Sequence, residues 1–300
     1  MLRVSYSDTY QVPLPFKHRF PMQKYELLRE QLLYQGILEP QQLYIPEFIK
    51  EEIILITHDE EYWARVKNLR LSIQEERRLG FPQSIALVRR SIASASGTFW
   101  SSLYALTEGI GVSLAGGTHH AYKDRAEGFC ILNDVAISLN YLIQQKKICK
   151  GLVIDLDVHQ GNGTAKIFED YTAVFTFSMH AHENYPFAKE RSDLDISLPT
   201  GTGDENYLSI LKSTLPSVIT QFQPDIIYYI AGVDVLATDR LGKLNLTLEG
   251  CKKRDELVLE LAQSLQIPIV VVMGGGYSNH YADIINAHTN TIKVIKNLYD

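Results

Sequence analysis

The chain has 300 residues, 45% of them hydrophobic and 21% charged, so it is long enough to bury a sizeable core and has the composition of an ordinary globular protein. Its net charge of -6 leaves no basic footprint for nucleic acid or an anionic membrane, and a mildly acidic surface would suit a cationic substrate such as a lysine-rich peptide or a polyamine. No apolar run approaches the roughly 20 residues that span a bilayer, and Met1 to Tyr6 lacks the charged leader and apolar core of an export signal, so a cytoplasmic protein without nucleic-acid or membrane partners is expected.

In chain order, residues 2 to 6 read as a first strand and residues 11 to 20 as a Pro-containing surface loop carrying His18 and Arg19. Residues 21 to 35 place Tyr25, Leu27, Leu28, Leu32 and Leu33 at helical spacing before Gly36. Residues 52 to 57 form a second apolar run, and His58-Asp-Glu-Glu opens a helix with acids at its positive end. The dense charges of residues 65 to 79 indicate solvated helix faces, whereas 84 to 109, rich in Ala, Ser and Leu, predicts a long buried helix leading into a strand at 111–115. Beyond it, apolar strands at 151–157, 173–179, 225–234 and 268–273 alternate with helical stretches at 133–145, 205–221 and 249–264. Near-continuous apolar strands separated by helices predict an α/β fold whose mainly parallel sheet is covered on both faces. With no repeat and no linker, residues 1–300 are expected to form one domain. Cys130, Cys149 and Cys251 are odd in number and lack CxxC pairing, which predicts reduced thiols and no cysteine-based zinc knuckle.

In such sheets chemistry collects beyond the carboxyl ends of the strands, and each polar cluster of this chain follows a predicted strand. In Gly151-Leu-Val-Ile-Asp-Leu-Asp-Val-His159, the acids Asp155 and Asp157 and His159 occupy alternate positions, which face one side of a strand. Two carboxylates and an imidazole at that density are costly to bury unless a cation satisfies them. The same acids would also serve as the cap of a following helix. Asp157 and His159 supply two metal ligands and Asp234, on another strand tip, could supply a third, leaving the fourth position of a tetrahedral zinc open to water.

His119 and His120 are adjacent, so a turn can aim both into one cavity as proton acceptor and donor. Asp155 and Asn162 are candidates to orient them, although a histidine pair is also a fair zinc-ligand set. Gly274-Gly-Gly-Tyr277 brings a phenol towards the crevice, where its hydroxyl could donate to an oxyanion, or else forms a plain turn or a phosphate loop. Gly128 and Phe129, just after the histidine pair, could wall a narrow apolar channel.

GTHHAY, GFCILND, DLDVHQGNGT, AGVDVLATDRLGKLNLT and GGGYS occur in this order over roughly residues 110 to 280. Together they resemble the arginase/deacetylase superfamily and, within it, the zinc-dependent histone deacetylases. The string His18-Arg-Phe-Pro-Met-Gln-Lys-Tyr25 and the HQGNG form look closest to class IV and its bacterial relatives. The resemblance implies a single-domain three-layer fold and a zinc-dependent hydrolase of N-acyl-lysine in a protein or peptide, or, alternatively, of acetylpolyamines or related small N-acyl amines. It implies Asp157, His159 and Asp234 as metal ligands, His119 and His120 as the catalytic pair, and Tyr277 polarising the acyl carbonyl. Asp155 matches the acid that orients the first histidine. Asp155, Asp157, His159, Ser178 and Met179 match a segment that binds a structural potassium in relatives, and Gly128, Phe129 and Leu241 match the lining of the substrate channel. Asn162 stands where many class I members carry aspartate, which leaves His120 with a neutral partner. Residues 180 to 193 do not match class I, so the second channel wall is unassigned.

Overall fold

A computed structural model of the chain describes residues 2–300. Eight parallel strands form one sheet in the order β2-β1-β3-β8-β7-β4-β5-β6. They are β1 (Val4–Ser5), β2 (Leu43–Tyr44), β3 (Ile110–Ser113), β4 (Gly151–Asp155), β5 (Val174–Ala181), β6 (Leu194–Leu198), β7 (Ile226–Ile230) and β8 (Ile269–Val272). Between them run α1 (Lys24–Tyr34), α2 (Glu51–Ile54), α3 (Glu60–Lys67), α4 (Ile73–Leu79), α5 (Ile85–Glu108), α6 (Asp134–Gln144), α7 (Asn162–Ile167), α8 (Asp204–Phe222), α9 (Leu248–Ser264) and finally α10 (Tyr281–Tyr299).

The central strands are buried on both faces, as their unbroken Ile/Val/Tyr runs require. Side-chain alternation along β7 divides the core into two layers. Ile226, Tyr228 and Ile230 pack with Val135, Ala136 and Leu139 of α6, while Ile227 and Tyr229 join Val258, Leu259 and Ile292 of α9 and α10. The long α5 starts where Ser84 accepts a hydrogen bond from the Leu87 amide and stops at Gly109, whose φ of 81° closes the helix in the left-handed region.

Several elements were not anticipated from the sequence, the short strand β2 and the helix α7 among them. The apolar run at 52–57 contributes to the short helix α2 and the turn after it. The strand β6 alternates exposed and covered residues at the sheet edge and so lacks a continuous apolar run. The helix α10 has polar, β-branched stretches such as Thr289-Asn-Thr-Ile292, which weaken helix propensity, yet Ile284, Ile285, His288, Thr291, Ile292 and Ile295 form a buried stripe. Among the described residues no helix is long and apolar enough to cross a membrane, and all three cysteines are free thiols.

The strand order positions the site. After β3 the chain skips two strand positions to lay down β4, β5 and β6, then returns to fill the gap with β7 and β8. Asp155 registers with Ile230 of β7, so the segments beyond these residues run side by side. Beneath them Arg254, fully buried, donates to the carbonyls of Leu156 (3.2 Å) and Gly232 (2.5 Å) and pairs with Asp255 at 2.8 Å. Tyr229 Oη and Thr291 Oγ1 also donate to Asp255. Breaking such a buried pair strands a charge, so this clamp fixes the two strand ends beyond which Asp157 and Asp234 lie.

Candidate active site

Asp157, His159 and Asp234 are buried, and one ligand atom from each lies within 4.8 Å of the others. His159 Nδ1 faces both carboxylates, at 3.0 Å from Asp157 Oδ1 and 3.2 Å from Asp234 Oδ2. Backbone amides aim the acids: Gly275 N–H donates to Asp157 Oδ2 at 2.7 Å and Val158 N–H to Asp234 Oδ1 at 3.0 Å. A Cβ at Gly275 would sit 1.9 Å from Asp234 Oδ2, so only glycine lets this loop approach. Burial, followed by the charge of Asp157, pushes the Asp234 carboxyl up to about 7. Burial opposes the imidazolium of His159, but the hydrogen bonds it donates to Asp157 and Asp234 outweigh that penalty and raise the group to about 10. A buried set whose two carboxylates compete for one imidazole has the charge and the N/O donor chemistry that a divalent ion satisfies. Asp157, His159 and Asp234 therefore fit zinc, the ion that the spacing predicts.

The histidine pair sits beside this set, with ring centroids 4.2 Å apart and His120 5.8 Å from His159. His119 Nδ1 lies 2.7 Å from Asp155 Oδ2, and His120 Nδ1 lies 2.6 Å from Asn162 Oδ1. The Asn162 amide orientation is fixed, because its Nδ2 donates to Glu127 Oε1 and Tyr122 Oη, both at 3.0 Å. Oδ1 must therefore face His120, which places a hydrogen on Nδ1 and leaves the Nε2 lone pair free. Their environments drive the two imidazoles apart. Against a burial penalty, the carboxylates of Asp155 and Asp157 raise His119 to about 9. Burial, reinforced by His119 and His159, holds His120 well below the usual imidazole range.

Tyr277 is held through its backbone: its N–H donates to Asp239 Oδ2 at 2.6 Å and its carbonyl accepts from Arg240 Nε at 2.9 Å. Burial and the carboxylates of Asp234 and Asp157 hold the phenol well above its usual range, so it remains an O–H donor. Its ring centroid lies 6.3 Å from that of His159.

His120, His159 and Tyr277 form the floor of a cavity of about 430 Å³ whose walls include Gly128, Phe129 and Leu241. Gly128 (φ 53°) and Phe129 (φ 68°) are both left-handed, and a Cβ at Gly128 would meet His120 Cδ2 at 2.5 Å. The second wall, which the sequence left unassigned, comprises Asn184, Tyr185 and Phe187. Ser178 Oγ is 2.9 Å from His180 Nδ1, and Asp155 registers with Ser178, so the segments holding Asp155, Asp157, His159, Ser178 and Met179 adjoin.

Several supporting residues went unrecognised in the sequence. Asp134, fully buried, accepts from the amides of Gly117 (2.9 Å) and Thr118 (2.7 Å) and so fixes the turn that carries His119 and His120. An aspartate opening a helix reads as a cap, which hides this role. Lys24, buried in α1, donates to the Gly274 carbonyl at 3.1 Å and lies 5.5 Å from the Tyr277 ring centroid. Asp239 bonds Tyr277, Leu241 and Gly242 through backbone amides alone, a role no side-chain pattern announces.

A profile described as the histone deacetylase domain matches residues 18–292. An uncharacterised protein of Picosynechococcus sp. is 40% identical over 296 residues, 99% of both chains. The acetoin utilization protein AcuC of Staphylococcus aureus is 30% identical over 285 residues, covering 88% of this chain and 73% of that protein. Histone deacetylase 2 of Arabidopsis thaliana is 28% identical over 294 residues, 94% of this chain and 76% of that protein. The crystal structure of the HDA15 HD domain superposes with a TM-score of 0.83 at 22% identity, over 99% of this chain and 88% of that one, a likeness of fold. With an Asp-His-Asp set, a histidine pair and a tyrosine gathered at the strand ends of this fold, and a profile match over nearly the whole chain, the chain belongs to the histone deacetylase domain family.

Proposed function

We propose that the protein hydrolyses the amide of N-acyl-lysine in a protein or peptide. The supporting observation is that His159, grouped with Asp157 and Asp234 within 4.8 Å, lines one cavity together with His120 and Tyr277. When bound to Asp157, His159 and Asp234, zinc supplies a Lewis acid for the acyl carbonyl and lowers the pKa of water from about 15.7 towards 7. The residues of the chain do the rest. Phe129 and Tyr185 flank the aliphatic stem of the lysine. His120 Nε2, kept neutral, takes a proton from the attacking water as its oxygen bonds to the carbonyl carbon. Tyr277 Oη–H donates to the oxygen on which negative charge develops. The C–N bond then breaks and the leaving amine takes a proton from the histidine pair, in which His119 is the charged member. Environments that push two neighbouring groups to opposite protonation states are the usual mark of an acid and a base.

The class IV affinity belongs to this proposal and rests on the His18 to Tyr25 string and the HQGNG form that contains Asn162. So does a structural potassium at Asp155, Asp157, His159, Ser178 and Met179, which rests on the resemblance and on the adjacency of β4 and β5.

The test is turnover by protein carrying about one zinc per chain, across acyl-lysine peptides of increasing acyl length and N-acetylated polyamines. Hydrolysis of acyl-lysine is expected, and failure to cleave any acyl amide would overturn the proposal. Within it, Asn162→Asp should raise the His120 pKa by giving its Nδ1–H a charged acceptor. A base works in its deprotonated form, so the acid limb of the kcat/KM profile should move to higher pH. An unchanged limb in a zinc-replete, active variant would dissociate Asn162 from His120.

A further inference from the structure

The mouth of the cavity has a charge opposite to that of the chain. Against a net charge of -6, the rim carries Arg19, Arg77, Arg78 and Lys243, with Glu183 as its only acid among the described residues. Glu183 is already committed to Lys243 at 3.5 Å. Arg19, Arg77 and Arg78 are exposed. Among the described residues no carboxylate lies within 4 Å of these three guanidinium groups, so their donors are open. Arg77 and Arg78 close the last turn of α4, where cations suit the helix dipole. That accounts for positive charge there, yet it does not account for Arg19, which comes from a separate loop and is set over the Phe129 ring at 4.9 Å. Opposite lies Phe187, 88% exposed, an apolar contact beside the uncommitted donors.

Resting on the hydrolase reading, we infer that this rim selects acyl-lysines flanked by acidic residues. A lysine stem that reaches the floor leaves its peptide lying across the mouth, where carboxylates on neighbouring residues meet three guanidinium groups with open donor forks. N-acylated polyamines carry ammonium groups a few carbons from the amide and would bring like charge to the same place. The cationic preference that the overall composition suggested is thereby reversed at the site itself. Each exposed ion pair is worth about 1.4- to 5-fold, the equivalent of ~0.2–1 kcal/mol. Two acidic flanks should then bring about a tenfold advantage over basic ones, most of it lost in high salt.

The experiment uses the zinc-loaded full chain and one acyl-lysine peptide with acidic, neutral or basic flanks, together with an N-acetylated polyamine. KM should rise from acidic to neutral to basic with kcat nearly constant, and the polyamine should be the poorest substrate. Arg77→Glu with Arg78→Glu should reverse the KM order of the acidic and basic peptides. Equal KM values across the series, an unaltered order in the double variant, or the polyamine as best substrate would each overturn the inference. Fluorescence anisotropy with the same labelled peptides reads the rim without turnover. If nothing is cleaved the hydrolase proposal falls, and the charge preference stands or falls on whether acidic peptides bind more tightly.

Discussion

Replacing Tyr277 with phenylalanine should leave the fold and the metal in place and lower kcat by about 10²–10³-fold, or ~2.7–4 kcal/mol. The backbone of Tyr277 is bonded to Asp239 and Arg240, so its position does not depend on the hydroxyl. Its ring packs edge-on to Phe20 at 6.0 Å, a contact that phenylalanine keeps. What disappears is one O–H donor that burial and two carboxylates keep protonated. That donor acts on charge that develops only after water adds to the carbonyl, so KM should change little while kcat falls. Steady-state kinetics on zinc-replete protein would check this. A variant with weakened KM and intact kcat would place the hydroxyl outside the reaction.

Asp157→Ala and Asp234→Ala should each weaken zinc binding by more than about 100-fold, since loss of even an outer-shell partner costs 10–100-fold. Either change leaves two protein donors where three converge within 4.8 Å. Asp157→Ala also strands the Gly275 amide, which donates to Oδ2. Elemental analysis after dialysis is the direct readout, with circular dichroism to verify folding. Full metal retention by both variants would remove the ligand assignment.

What could be read from the sequence divides along a physical line. The central strands were legible because burial on both faces demands unbroken apolar runs, and Asp157, His159, Asp234, His119, His120 and Tyr277 were legible because each follows such a run. Residues whose roles arise only from distant partners were not. Arg254 and Asp255 lie within Lys252-Lys-Arg-Asp-Glu256, which reads as a solvated helix face, yet both are fully buried beneath the site. Lys24, in a loop-to-helix string with no local signal, reaches the glycine loop 250 residues away. Nor does net charge reveal its own distribution: a chain of -6 gathers arginines from two segments around one opening.

The strand order also governs when, during synthesis, a metal centre can exist. Asp157 and His159 leave the ribosome early, but Asp234 follows His159 by 75 residues, and β8, which completes the sheet, comes later still. Until β7 and β8 emerge, the facing edges of β3 and β4 are apolar and unpaired, the kind of edge that recruits foreign strands. Parallel pairing over such separations is slow, so the nascent chain spends this interval exposed to aggregation. A metal held by Asp157, His159 and Asp234 would therefore find its full donor set only after β7 has emerged, and would tie the tip of β4 to that of β7.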